Sequence, residues 1–218
     1  MQVSPTPFGH IGVFPEQYEN WQWLSKFRHN DDAQPRALNL FAYTGASTMA
    51  LVAGGFQVAH VDAAKPNVQL ARQSARHNRW QDAPIRYLVD DAAKFVAREV
   101  RRKRTYQTVV LDPPAYGHSP NGKAWRIERD LWPLLEDCLQ LMNPADFRLL
   151  ITGHSPEVDQ NDVCDFLKET RFFVRAHADS GLLLDAGRSQ LVDRYQRMLD
   201  AGFFVRVSSP SAANRATE

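Results

Sequence analysis

The chain has 218 residues, about one domain's worth, able to bury roughly 68–75% of its unfolded surface. Its 44% apolar and 23% charged residues exclude a disordered or fibrous chain, no run reaches the ~18 apolar residues of a membrane span, and the opening MQVSPTPFGH lacks a signal peptide's basic-then-apolar pattern. With 26 basic and 25 acidic side chains the net charge is +1, so any polyanionic partner would have to be met by a local patch.

No internal repeat is visible, which removes solenoids and propellers. From Pro15 to Phe27, Tyr18, Trp21, Leu24 and Phe27 recur at helical spacing and predict a helix inside an N-terminal extension spanning 1–30. Ala37 to Phe41 reads as a buried strand ended by Thr44-Gly45, and a small-residue helix from Ser47 to Ala53 follows. Gly54-Gly55 leads into a second strand, Phe56 to Val61, stopping at Asp62. Pro66 suits the first turn of a helix to about Trp80, because its missing N–H is not needed there. A third strand, Ile85 to Val89, ends at Asp90-Asp91 and precedes a helix from Ala92 to about Lys103. Tyr106 to Leu111 is a fourth strand, halted at Asp112-Pro113-Pro114. A long loop, a helix from Ile127 to Met142, a fifth strand from Phe147 to Thr152 and a helix from Val158 to Thr170 complete the regular pattern. Beyond Arg171 the chain looks strand-rich, with Arg171 to Val174 and Phe203 to Val207 the best candidates. Residues 208–218 are polar, lack a packing stripe and are expected to form a frayed tail.

Strands alternating with helices predict a doubly wound α/β domain over 31–207, with a mostly parallel, Rossmann-like sheet. Ligands of such sheets bind beyond the carboxyl ends of the strands, at the topological switch point. Those ends carry Asn39, Phe41, Tyr43, Thr44 and Gly45 on strand one, and Asp62 with Ala63 on strand two. Strand three supplies Asp90 and Asp91, and strand four Asp112, Pro113, Pro114 and Tyr116. Each has a structural explanation: Gly45 for a left-handed turn, Asp62 and Asp91 as helix caps, the prolines as a loop stop. Together they suit an adenosine-bearing ligand. A carboxylate about 20 residues past the first turn fits ribose hydroxyls, and a second at strand three can accept from the adenine amino group. The turn has one glycine where a dinucleotide fingerprint wants three, so no pyrophosphate cradle is expected. S-adenosylmethionine, an adenosine with a cationic sulfonium, fits. The Asp112-Pro113-Pro114 corner is stiff and offers only carbonyl acceptors, which suits a planar base held in line with the sulfonium.

The runs NLFAYTGAS, VAHVDAAKPNVQLARQSARHN, YLVDDAAKFVAREVRR and VVLDPPAYG resemble the class I S-adenosylmethionine-dependent methyltransferases. Within them the chain is most similar to the group related to bacterial ribosomal RNA large-subunit methyltransferases. The similarity extends over about Phe8 to Ser155 and includes FGHIGVFPEQYENWQW. The resemblance implies cofactor contacts from Tyr43, Thr44, Gly45, Asp62, Ala63 and Asp91, with Asp112, Pro113 and Pro114 facing the reacting centre. Asn78 matches a recurrent asparagine of the group; its alternative is a helix C-cap. Asn39 stands where many class I enzymes carry an acid near the cofactor's methionine end.

Relatives that methylate carbon five of cytosine use a cysteine after strand five or in the strand-four loop, where this chain has His154 and Ala115. Covalent chemistry of that kind is therefore not expected. Cys138 and Cys164 fall inside predicted helices as core residues, and two cysteines make neither a disulfide framework nor a metal site, which points to a soluble cytoplasmic protein. Tyr116 stands one place later than the aromatic typical of amino-group methylation.

Lys94, Arg98, Arg101, Arg102, Lys103 and Arg104 crowd the third helix and its exit, where they can simply complement the helix dipole. The strand-four loop, with His118, Lys123, Trp125, Arg126 and Arg129, is better placed to stack a base and neutralise phosphates. RNA, ribosomal RNA in particular, is the expected substrate. The residues before Phe8 leave no room for the N-terminal RNA-binding module such enzymes usually carry, so the chain is expected to be part of a longer protein or to find substrate through this domain. Two other readings stand beside this one: the same cofactor with a small-molecule or protein acceptor, and a non-catalytic RNA adaptor.

Overall fold

The computed structural model describes residues 12–26, 34–118 and 124–214. Phe8, Phe27, Lys123 and residues 215–218, all of which carry expectations above, lie outside them.

A 3-10 turn, Pro15–Gln17, opens into helix α1 (Tyr18–Ser25). The sheet begins with β1 (Arg36–Leu40), whose last four residues are all buried, as expected of a central parallel strand covered on both faces. Helix α2 (Ala46–Ala53) leads to β2 (Gln57–Asp62), α3 (Lys65–His77) and β3 (Ile85–Val89). Helix α4 (Ala92–Arg101) starts on Asp91, whose side chain accepts from the Lys94 N–H, so its cap reading holds. Then come β4 (Thr108–Leu111), β5 (Tyr116–His118), β6 (Ala124–Arg126), α5 (Ile127–Leu139) and β7 (Arg148–Gly153). The chain closes with α6 (Gln160–Glu169), α7 (Arg171–Ser180), β8 (Leu183–Val192), β9 (Met198–Ser208) and α8 (Pro210–Asn214).

The strands form a seven-stranded sheet in the order β3-β2-β1-β4-β7-β9-β8. All neighbours from β3 to β7 pair in parallel, and β9 runs antiparallel to both β7 and β8. The chain reverses its direction of growth between β1 and β4, which makes that boundary the switch point. Alternation along the strands divides the core. Leu38, Leu40, Val109, Leu111, Leu149 and Ile151 pack with α4, α5 and α6, whereas Ala37, Val58, Val110 and Leu150 pack with Leu24 of α1, Leu51 and Phe56. Cys138 and Cys164 are buried in the first of these cores.

The N-terminal helix shares the second core. Arg148, only 1% exposed on β7, lays its guanidinium 3.8 Å from the Trp23 ring centroid and donates to the carbonyls of Trp23 and Leu24 at the end of α1. Arg206 on β9 reaches Asn20 at 2.8 Å.

Three expectations are corrected. Arg171 to Val174 begins a helix, not a strand. Thr170 caps it by accepting from the Phe173 N–H, and Phe173 and Ala176, three apart, turn into the core, so helical packing overrides the β-propensity of Phe-Phe-Val. Phe203 to Val207 is a strand, but it is the buried part of the longer β9, and its partner β8 went unrecognised. The tail is ordered through Asn214: Ser209 is buried and accepts from the Phe147 N–H, and Ala212 packs beside Leu24 and Phe56. Small polar residues there satisfy backbone groups instead of fraying.

Candidate active site

A crevice of about 750 Å³ opens at the carboxyl ends of β1, β2, β3, β4 and β7. Its first wall is the turn after β1. Phe41 and Tyr43 hold left-handed conformations, φ 55° and 46°, and Gly45 follows at φ 89°. Left-handed aromatics cost of order 1–3 kcal/mol each and collect at functional sites, where the surroundings hold them in place. Gly45 is also needed for space, since a Cβ there would stand 3.0 Å from that of Ala71. Phe14, from before the first helix, lies 5.6 Å from the Tyr43 ring.

Asp62 forms the floor. Its Oδ2 accepts from the Tyr43 N–H at 2.8 Å, and Oδ1 from the Ala64 N–H at 2.9 Å and from Asn67 at 3.1 Å. The carboxyl is 8% exposed; burial raises its pKa, with those three bonds opposing. The helix-cap alternative fails here, because Ala64 is the N-cap of α3. Ala63 and Asn67 line the crevice beside it. At the next strand end Asp90 and Asp91 both line the crevice, Arg98 pairs with Asp90, and Asp91 is tied to its helix through the Lys94 N–H at 3.0 Å.

Asp112 closes the site on the β4 side. Thr152, across on β7, donates to its Oδ1 at 2.6 Å. Burial raises the Asp112 pKa, the Thr152 bond lowers it and the charge of Glu16 raises it further. Pro113 and Pro114 line the crevice, but the corner is less open as an acceptor than the sequence implies, because Trp125 Nε1 donates to the Pro114 carbonyl at 2.8 Å. The same indole packs on Phe41 with centroids 4.9 Å apart.

Several expected residues fall elsewhere. Tyr116 is 55% exposed and does not line the crevice. In the β5–β6 hairpin Gly117 faces Trp125 and Tyr116 faces Arg126, so the period-two pleat turns Trp125 inward and sends both Tyr116 and Arg126 to the other face. Arg126 lies 3.8 Å from Glu128 instead. Asn78 is the C-cap of α3 and donates to the Ser74 carbonyl at 2.7 Å; α3 leaves the crevice at Lys65 and rises ~1.5 Å per residue, which carries Asn78 to the far edge of the sheet. Asn39, Thr44 and Gly45 line a narrow recess beside the crevice rather than the crevice itself. Asn39 donates to Thr48 at 2.9 Å, and Thr48 bonds His60 Nδ1 at 2.9 Å, a buried polar chain in which burial lowers the His60 pKa to about 4. The backbone of His118 pairs with Ala124.

The sequence reading missed the opposite wall. Leu191, Leu199, Asp200 and Ala201 of the β8–β9 hairpin close the crevice, with Glu16 and Gln17 at another corner. A faint signal existed in Asp-Ala-Gly before Phe203: Gly202 has φ 97°, and a Cβ there would collide with the Gly153 carbonyl at the end of β7.

Six carboxylates line the crevice (Glu16, Asp62, Asp90, Asp91, Asp112 and Asp200), and no lysine or arginine does among the described residues. Arg98 and Arg188 answer Asp90 and Asp200 from outside the lining. Among the described residues no cluster of His, Cys, Asp or Glu could hold a metal ion, and no helix is long and apolar enough to cross a membrane. The sheet order is that of a Rossmann-like fold, and the acidic crevice at its switch point favours a cationic ligand over an anionic one.

This chain belongs to the S-adenosylmethionine-dependent methyltransferases: the family model of that description matches residues 14–167. S-adenosylmethionine is the cofactor of that family. Ribosomal RNA large subunit methyltransferase I of Aeromonas salmonicida is 32% identical over 185 residues, 83% of this chain and 41% of that protein. Its counterpart in Serratia proteamaculans is 28% identical over 175 residues, 78% of this chain and 40% of that protein. The chain thus spans about 40% of the length of the curated relatives it matches. Among solved structures, the SAM-dependent methyltransferase from Agrobacterium tumefaciens superposes with a TM-score of 0.81 at 29% identity, over 94% of this chain and 65% of that one. A methyltransferase solved with S-adenosylhomocysteine shares the fold at TM-score 0.71 and 18% identity, over 91% of this chain and 50% of that one.

Proposed function

We propose that the chain transfers a methyl group from S-adenosylmethionine to a base in RNA, with ribosomal RNA as substrate, by direct in-line displacement in the cytoplasm. The carrying observation is the charge of the crevice, six acids with no lysine or arginine among the described lining residues. A pyrophosphate would be repelled there, whereas a sulfonium and an ammonium are attracted. The residues fit that cofactor: Asp62 keeps a lone pair on Oδ2 for a ribose hydroxyl, and Asp90 and Asp91 stand at the neighbouring strand end for the adenine. Once bound it supplies a methyl group that is already activated, so this chain's task is to position the acceptor and exclude water. Pro113 and Pro114 give a stiff corner, and Trp125, fixed through its indole N–H, gives the acceptor base an aromatic face. Asp112, held by Thr152, is set to hydrogen-bond the base edge. No cysteine lines the crevice among the described residues, which argues against a covalent route.

The names of the relatives favour RNA as the acceptor. The apolar rim of Leu191 and Leu199 favours the second reading, a small apolar acceptor. Incubation with methyl-labelled S-adenosylmethionine and large-subunit ribosomal RNA, followed by mass spectrometry of the nucleosides, separates them. A new methylated nucleoside is expected. Label appearing only in small metabolites, or cofactor binding without transfer to RNA, would overturn the proposal in favour of the small-molecule or adaptor reading.

A further inference from the structure

The edge of the sheet opposite the crevice holds a second concavity, of about 380 Å³, lined by Arg36, Arg86 and Arg104 over a floor that includes Tyr106 and Glu99. The three arginines come from the start of β1, from β3 and from the exit of α4, and all are exposed. A helix dipole explains cations at the end of α4; it does not explain Arg36 and Arg86, which sit on strands. The acid beneath them is already engaged. Glu99 is 2% exposed and accepts from Tyr106 at 2.7 Å and from Arg102 at 3.0 Å. Burial would raise the Glu99 pKa, but the bonds from Tyr106 and Arg102 and the charge of Arg86 bring it below its usual value. Burial raises Tyr106, the bond to Glu99 and its charge raise it further, and the charges of Arg86 and Arg36 oppose the rise, so both guanidiniums bear on this floor. Asp82, on the turn leading into the recess, bonds Gln81. None of Arg36, Arg86 and Arg104 forms an ion pair among the described residues.

We infer that this recess is a phosphate-binding site for the RNA backbone, with Arg36, Arg86 and Arg104 as its donors. Guanidiniums meet phosphate oxygens in a bidentate fork, and unpaired ones gain most from doing so. Arg101, Arg102 and Lys103, all exposed, continue the cationic surface beyond the recess, so it forms a track suited to a strand rather than a closed pocket for a single anion. β1 runs from this edge to the crevice, five residues at ~3.3 Å each, so the site meets RNA some 15 Å or more from the reacting base. It holds flanking nucleotides and contributes affinity, not chemistry. The inference rests on the RNA reading above.

The test is a triple variant, Arg36→Gln with Arg86→Gln and Arg104→Gln, in the full chain. Binding to fragmented large-subunit ribosomal RNA is followed by fluorescence anisotropy across a salt series. Loss of three phosphate contacts should weaken binding roughly tenfold or more at low salt and shrink the slope of log K against log salt by about 2. S-adenosylmethionine affinity and the transfer rate at saturating RNA should not change, so the loss appears in KM, and the melting temperature should fall only slightly, from the lost Arg86 charge near Glu99. If wild type binds RNA and the variant binds it with the same affinity and slope, the site is refuted while the RNA reading stands. If wild type binds no RNA, both fall. If tripolyphosphate occupies the recess in wild type but the variant's RNA affinity is unaltered, the ligand is a small anion and the inference is wrong.

Discussion

The Asp62 carboxylate holds the backbone of Tyr43, with Oδ2 accepting from the Tyr43 N–H at 2.8 Å and so tying the turn after β1 to the end of β2. Its other oxygen binds Ala64 and Asn67. One side chain therefore builds the turn and floors the crevice. From sequence alone, Asp62→Ala should cost cofactor affinity and spare the unliganded fold. The structure predicts otherwise: affinity falls at least about tenfold, and apo stability drops by about 1–3 kcal/mol as buried donors lose their acceptor. Calorimetric titration with S-adenosylmethionine beside thermal melts of the free protein checks both. An unchanged melt would show that the three bonds contribute nothing.

Asp112→Asn should abolish transfer, by roughly 10²-fold or more, with little change in cofactor affinity. The amide oxygen still accepts from Thr152, so the fold is kept. Because burial raises the Asp112 pKa, the folded protein binds that proton more tightly than the unfolded chain. Such a group favours folding below the ordinary carboxylate range, and the contribution is lost as pH rises through the raised folded value. At neutral pH the variant should therefore melt above wild type, and the gap should close as the solution is acidified below that range. A constant gap at all pH values would mean that Asp112 ionises normally.

Trp125→Phe keeps an aromatic face over the corner but deletes the N–H that binds the Pro114 carbonyl. Transfer is expected to slow by about three- to tenfold, the worth of one hydrogen bond of about 0.5–1.5 kcal/mol, while cofactor affinity holds. Trp125→Ala should cost more, since Phe41 also loses its ring partner. Equal rates in all three proteins would remove the indole from the site.

Replacing both cysteines, Cys138→Ala with Cys164→Ala, should leave transfer intact and lower stability only. Both thiols are buried in the helix-side core, and burial raises each thiol's pKa, so neither is a ready nucleophile. Loss of transfer with a normal melt would bring back a covalent mechanism.

The strand ends were legible because local rules govern them. β1 and β4 are continuous buried runs, and a buried parallel strand must be apolar on both faces, so Leu38, Val109 and Leu111 announce themselves. The acids at the ends of β2, β3 and β4, Asp62, Asp91 and Asp112, stand where the apolar runs stop. Asn78 misled because a motif gives position along a helix, and 13 residues of α3 carry that position away from the crevice.

What the chain's own order of residues determined is the parallel sheet, its switch point, the single-glycine turn after β1 and the acids at the ends of the neighbouring strands. Only the folded molecule decided what closes the crevice. Leu191 and Asp200 reach it through an antiparallel hairpin that pairs with β7 across more than forty intervening residues, and Phe14 reaches it from before the first helix. It also decided that Trp125 faces the site while Tyr116 does not, and that Arg36, Arg86 and Arg104 share one recess. Local propensity records what each segment favours alone. Which distant side chains meet depends on how the sheet's burial of apolar surface brings its edges together, and that energy belongs to the whole fold.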